Sequence, residues 1–240
     1  SLNTFLNAMT YPDKTVYPIA SCNDTDFQNL MDVYMDAVFH PNIGKEKKIF
    51  MQEGWHYELE EPEGELTYNG VVYNEMKGVF SSPESVLDSY IHTAMFPDTC
   101  YGVESGGDPE DIVKLNYEDY LAFYHKYYHP SNSYIYLYGN MDMEEKLAFL
   151  DEHYLSHFDY LDVDSVIQEQ KAFGACRDVT LEYPVAENEG EEDNTYLSYN
   201  MVVGNAADSQ MGDGILRYLD YALLSAPGAP LKQALLDVKA

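Results

Sequence analysis

Basic side chains are scarce in this chain: 13 lysines and arginines stand against 42 aspartates and glutamates, a formal charge of −29. A polyanion would be repelled by such a surface, which excludes a nucleic-acid partner. Cysteine is scarcer still. Cys22, Cys100 and Cys176 are far apart, odd in number and form no C-x-x-C pair. Neither a disulfide framework nor a thiolate zinc knuckle is expected, and a reducing compartment is. No stretch approaches the ~20 apolar residues of a membrane span, so no membrane partner is expected. There is no G-x-S-x-G elbow and no cysteine in a nucleophile context. The glycines of 102–107 lack both the P-loop lysine and the dinucleotide spacing, and read as a turn. The opening Ser1-Leu2-Asn3-Thr4-Phe5-Leu6 has no initiator Met, no basic region and no signal-peptide core, so the chain reads as starting mid-protein.

What is present describes a folded protein. An apolar fraction of 45% with 23 tyrosines and 10 phenylalanines can build a core. A length of 240 residues allows one large domain, or one domain and part of a second. The acidic excess has two readings: a solvated surface that keeps the protein in solution, or a field that steers basic peptides.

Periodicity organises the chain. Residues 1–22 read as strand, turn and strand, with the turn at Tyr11-Pro12-Asp13-Lys14. Thr25 and Gln28 form a capping-box pattern before an amphipathic helix that Pro41 stops. Gly54–Leu59 and Leu66–Tyr68 flank a Glu-Pro-Glu-Gly turn, as in a hairpin. Helices are expected from Asn69, from Ser82-Pro83 and from Asn116, the last ended by Pro130. Tyr134–Tyr138 reads as a strand covered on both faces, and a helix is expected over Met143–Tyr154. A polar connector leads to strands at Val179–Tyr183 and Tyr196–Val203, with the acidic Glu187–Asn194 between them as a solvated loop. Helical patterning returns over Gly214–Leu224 and Leu231–Val238. The expected class is α+β, a mixed sheet with packed helices.

Seven histidines invite a search for metal ligands. His125/His129 and His153/His157 have the i, i+4 spacing that shares a helix face. His129 directly precedes Pro130, which disfavours helix there, and His153/His157 has no prescribed third ligand, so both pairs read as ordinary polar groups. His40, His56 and His92 stand alone. Glu75 falls on the face shared by Val71, Val72 and Val79, where an unpaired carboxylate would be expensive to bury. A salt bridge, a raised pKa and metal ligation all remain open for it.

Several blocks together resemble the presequence-protease branch of the insulinase-family zinc metallopeptidases. They are residues 1–15 (SLNTFLNAMTYPDKT), Glu53-Gly54-Trp55-His56-Tyr57-Glu58-Leu59, Gly70–Gly78 around Asn74-Glu75-Met76-Lys77, Tyr101–Pro109, and Tyr127-Tyr128-His129-Pro130-Ser131-Asn132. The blocks keep that family's order to about residue 140, with weaker similarity through Ala226–Leu236. Family members carry an inverted zincin motif, H-x-x-E-H, that supplies two histidine ligands and the general base, and a distal glutamate that completes the ligands. Glu75 matches the distal glutamate. No H-x-x-E-H occurs in residues 1–240. The resemblance therefore implies one ligand for Zn²⁺ here, with the other two and the base expected upstream of Ser1 and no catalytic residue in this chain.

The resemblance also implies that substrate adds as a strand along Leu6-Asn7-Ala8-Met9-Thr10; an ordinary sheet edge is the plainer reading of those residues. It implies a domain layout: 1–157 as the remainder of a first metallopeptidase domain, 158–177 as connector, 178–240 as the start of a second, similar domain. The intact protein is expected to degrade short unstructured peptides inside a closed chamber, with the chain alone inactive. The alternative is a non-catalytic family member that binds peptides or pairs with an active subunit. Expected partners are peptides, basic ones among them, and the remainder of the same polypeptide. The expected location is the bacterial cytoplasm, with an organelle matrix as the other choice.

Overall fold

A long hairpin opens the chain in the computed structural model, which describes residues 4–183, 185, 192, 194–204 and 212–238. Strands β1 (Phe5–Leu6) and β2 (Met9–Thr10) form one arm, β3 (Thr15–Val16) and β4 (Ile19–Ala20) the other. Phe5 lies opposite Ala20 and Met9 opposite Val16, so a single register runs the length of the hairpin. The ladder breaks in the middle at Pro18, which has no N–H to give, although its carbonyl still accepts from Asn7 N at 3.1 Å. The expected turn closes at Tyr11, whose N–H donates to Lys14 O at 2.8 Å.

Helix α1 (Asp24–Phe39) is capped by Asn23, whose side chain accepts from Asp26 N at 2.9 Å. The expected cap, Thr25, lies inside the helix: Asn23 is as good a cap and comes first. After a 3₁₀ turn at 42–44 comes α2 (Lys47–Glu53), whose buried Phe50 meets the rings of Tyr117 and Tyr120 at 6.0 and 5.3 Å. Strands β5 (His56–Glu58) and β6 (Thr67–Asn69) make the second hairpin, with Tyr57 opposite Tyr68. Gly70 follows because a Cβ there would stand 2.2 Å from the Gly54 carbonyl oxygen.

Helices α3 (Val71–Val79) and α4 (Pro83–Met95) come next, the latter opened by Ser82 and proline at its first turn. The short α5 (Pro109–Ile112) buries Ile112. Helix α6 (Tyr117–Tyr127) has a reciprocal cap: Asn116 accepts from Asp119 N at 2.8 Å and donates to Asp119 Oδ2 at 2.7 Å. Its tyrosines tie it to the end of α1 and to the 3₁₀ turn beyond, with Tyr124 OH donating to Val38 O and Tyr117 OH to Ile43 O, each at 2.6 Å. Helix α7 (Met143–His153) docks on α1 through Lys146, 1% exposed, which donates to Gln28 Oε1 at 2.9 Å and lies 3.5 Å from Asp24.

The α+β class holds, but the sheet is not the expected mixed one: the described residues form separate two-stranded antiparallel pairs. Tyr134–Tyr138 pairs with nothing among the described residues, and Tyr134, Tyr136 and Tyr138 are 104%, 83% and 83% exposed. The β-formers are there; a strand also needs a neighbour to satisfy its N–H and C=O groups. For the same reason Val179–Tyr183 and Tyr196–Val203 are not laddered strands. Most of the acidic Glu187–Asn194 lies outside the described residues.

The polar segment 158–177 runs along the first unit as a strap. Leu161 N donates to Ser131 Oγ at 3.1 Å, Gln170 exchanges two bonds with Asp98 at 2.8 and 2.9 Å, and Arg177 donates to Ala94 O at 3.1 Å. Two compact units divide the chain, one ending at Leu197 and the other beginning at Ser198. The second holds α8 (Gly212–Asp220), a π-helical turn at Tyr221–Ser225 and α9 (Pro230–Asp237). No helix among the described residues is long and apolar enough to cross a membrane.

Candidate functional site

The hairpin arm 5–10 presents an open backbone edge. Its odd residues, Phe5, Asn7 and Met9, bond or face the partner strand, as the Asn7–Pro18 and Tyr11–Lys14 bonds fix. By alternation the N–H and C=O groups of Leu6, Ala8 and Thr10 face away from it. No described strand covers that side, and residues 4–10 are exposed throughout. One donor on this edge is already engaged: Ala8 N–H is held by the Asn7 side-chain oxygen at 2.9 Å.

Both ends and the back of the hairpin are fixed. At the tip, Asp13 accepts from Lys14 Nζ at 2.9 Å and from Tyr101 OH at 3.0 Å, and the Lys14 bond chiefly holds its carboxyl below the usual range. At the foot, Asp26 accepts from Ser21 Oγ at 2.6 Å and Thr4 Oγ1 at 2.7 Å, two bonds that lower its pKa in that order of weight. Behind β3, Tyr17 and Tyr128 join hydroxyls at 3.2 Å, and burial, then that bond, pushes the Tyr17 phenol well up. Burial likewise raises Tyr124 to about 12.

Glu75 stands on α3 in a setting opposite to the one its pattern implied. Met76 is the buried residue of this helix; a Cβ on Gly106 would lie 2.5 Å from the Met76 sulfur. One residue back, about 100° round the helix, Glu75 faces solvent, and Val71, Val72 and Val79 are exposed with it. The apolar arc of α3 therefore points outward, and no buried carboxylate needs neutralising here. Glu75 makes no hydrogen bond or ion pair among the described residues, so both its oxygens are free.

A zinc site needs about four donors converging at ~2.0–2.3 Å. Glu75 is an acceptable one, but no group of three His, Cys, Asp or Glu among the described residues could hold a metal. The residues present therefore do not fit a zinc ion by themselves. The histidine pairs serve structure instead. His129 accepts from Ser131 N at 3.1 Å and packs edge-on to Phe158, whereas His125 turns to the Tyr124 ring. His153 stacks on Phe149 at 4.4 Å. No hydrogen bond among the described residues joins Glu75 to residues 6–10.

Sequence reasoning missed the Asn7 bond to Ala8 and the Tyr101 bond to Asp13. The first is legible as an Asn on an edge strand, since Asn side chains seek nearby backbone N–H groups. The second joins residues far apart in sequence and leaves no local signal.

Comparison with known proteins gives these features a context. Residues 114–239 match the family profile described as the peptidase M16 inactive domain. The chain is 56% identical over 237 residues to Protein HypA of Clostridium perfringens, covering 99% of this chain and 24% of that protein. It is 42% identical over 239 residues to presequence protease 1, chloroplastic/mitochondrial, of Arabidopsis thaliana, covering 99% of this chain and 22% of that one. A mitochondrial presequence protease of Drosophila melanogaster is 46% identical over 175 residues, 71% of this chain and 17% of the relative. The chain thus spans about a quarter of the length of the relatives it matches most fully.

Proposed function

The chain belongs to the insulinase (M16) peptidase family, in its presequence-protease branch, and we propose that it forms part of a zinc metalloendopeptidase that degrades short unstructured peptides in a closed chamber. The observation that carries the reading is the open edge of residues 6–10, a surface on which an extended peptide can add as a strand. Main-chain bonds to Leu6, Ala8 and Thr10 would hold a peptide whatever its side chains, so binding would tolerate many sequences. The rigid tip and foot of the hairpin keep that edge extended in advance, so little ordering cost falls on binding.

A bound zinc ion would supply Lewis-acid polarisation of a scissile carbonyl. In this reading Glu75 contributes one ligand, and an H-x-x-E-H motif elsewhere in the polypeptide contributes two histidines and the base. The unengaged carboxylate of Glu75 supports that role. Its exposed apolar neighbours and the unpaired 134–138 segment support a further partner, the remainder of the same polypeptide. Residues 1–157 would then complete a first metallopeptidase domain, 158–177 connect it, and 178–240 begin the next. Three widely spaced cysteines with no C-x-x-C pair suit a reducing compartment such as the bacterial cytoplasm, which is where this reading places the protein.

A second reading, a non-catalytic peptide-binding member, is favoured by the match to an inactive domain. The deciding measurement is zinc content of the purified protein after dialysis, beside a Glu75→Gln variant. Negligible zinc in both is expected of a chain that holds one ligand. Near-stoichiometric zinc lost in the variant would show that the chain builds its own site, and would sink the proposal of a shared one. An H-x-x-E-H degenerate in the complete polypeptide would select the non-catalytic reading.

A further inference from the structure

The second hairpin carries an aromatic face that the described residues cover only in part, Tyr73 of α3 meeting the Tyr68 ring edge-on at 5.9 Å. Tyr57 and Tyr68 lie opposite each other with ring centroids 5.3 Å apart, and are 58% and 43% exposed. Trp55 meets both rings edge-on at 5.4 and 5.8 Å and is fixed by its Nε1–H bond to Leu115 O at 2.9 Å. Leu59 and Leu66, just beyond the strand ends, are exposed as well. The opposite face is self-contained: Asn69 donates to Glu58 and accepts from Gly70 N and Asn74.

Charge selects what could cover the rings. From Lys48 to Lys77 there is no lysine or arginine between, whereas the hairpin tip carries Glu60, Glu61, Glu63 and Glu65. None of those four has an ion pair among the described residues. A second copy of this chain, at formal charge −29, would be repelled from such a face. A guanidinium could instead lie on the tyrosine rings while the tip carboxylates neutralise it.

We propose that the Tyr57/Tyr68 face of the β5–β6 hairpin binds an arginine-bearing segment of a cationic peptide. The inference goes beyond peptide capture at residues 6–10, since it needs neither zinc nor cleavage nor that edge. Its test is fluorescence anisotropy of a labelled Gly-Arg-Gly-Arg-Gly-Arg-Gly peptide titrated with the protein. Tyr57→Leu/Tyr68→Leu keeps apolar area but removes both rings, and should weaken binding by roughly five- to thirtyfold, two cation–π contacts at an exposed site. Tyr57→Phe/Tyr68→Phe should bind within about twofold of the parent, since the ring face remains.

Neutralising the tip (Glu60, Glu61, Glu63 and Glu65 to Gln) should also weaken binding and flatten its salt dependence. Neutralising four exposed acids elsewhere (Glu118, Glu144, Asp151 and Glu152 to the amides) makes the same change in net charge and should leave affinity nearly intact. Equal loss from the two fourfold variants would assign the attraction to the overall field and overturn the proposal. So would unchanged binding in the double Leu variant, equal affinity for the same peptide with Gln for Arg, or self-association that the double Leu variant abolishes. A Thr10→Pro variant that weakens binding of neutral peptides but leaves that of the arginine peptide unchanged would separate this face from the edge strand.

Discussion

Thr10→Pro is the most discriminating single change at the peptide-binding edge. Thr10 pairs with Thr15 at a position where its own N–H faces away from β3, so proline removes an outward donor and leaves the hairpin ladder whole. Proline is compatible with an edge strand, and Met9 before it is already extended. The loss is one net hydrogen bond to an incoming strand, about 0.5–1.5 kcal/mol, which weakens peptide binding by about two- to tenfold. Asn7→Ala makes the opposite change. It frees Ala8 N–H from the Asn7 oxygen at 2.9 Å, so the edge gains a donor and binding tightens by a similar factor. The assay is anisotropy of a neutral, extended nonapeptide, with thermal unfolding of each variant as a control. If the two substitutions move affinity in the same direction, or neither moves it while the fold persists, peptide does not bind as a strand on this edge.

Other outcomes follow from contacts behind the hairpin. Lys146→Ala should cost about 2–4 kcal/mol by urea unfolding, since it leaves Gln28 without its partner and opens a cavity, and Lys146→Met should cost less by refilling the space. Asp26 has a depressed carboxyl pKa, so its stabilisation is present above the unfolded value near ~4 and lost as pH falls through the folded one. Asp26→Asn should therefore flatten the acid limb of the urea midpoint below about pH 4, and an unchanged limb would contradict the assignment. Tyr124, raised to about 12, stabilises the fold below pH ~10 and ceases to do so as pH rises through its folded value. Tyr124→Phe should remove that part of the alkaline transition, read from phenolate absorbance, and should cost stability at neutral pH through its lost bond to Val38 O.

Local chemistry was the legible part of this molecule. The turn at Tyr11–Lys14, the Ser82-Pro83 start of α4 and the Asn116/Asp119 cap of α6 depend on neighbours in sequence, and each stands where its residues place it. Strands were less legible because propensity supplies only half of a ladder. Tyr134–Tyr138 has the side chains of a covered strand, but a partner backbone comes from elsewhere in a fold, and no described segment provides one. The burial expected of Glu75 failed for the same reason. Periodicity identifies an apolar arc on α3 but not which way it points; the packing of Met76 against Gly106 turns it outward. The edge at 6–10 could be proposed from sequence, whereas the Asn7 bond that engages part of it required coordinates.

Residue-resolved amide hydrogen exchange, with and without a saturating extended peptide, reads whether Leu6-Asn7-Ala8-Met9-Thr10 receives peptide as an added strand. Leu6 and Thr10 N–H groups, open in the free protein, should become protected on binding, whereas Asn7, already bonded to Pro18, and the amides of α7 should change little. Peptide binding that leaves Leu6 and Thr10 exchanging at their free rates would contradict it.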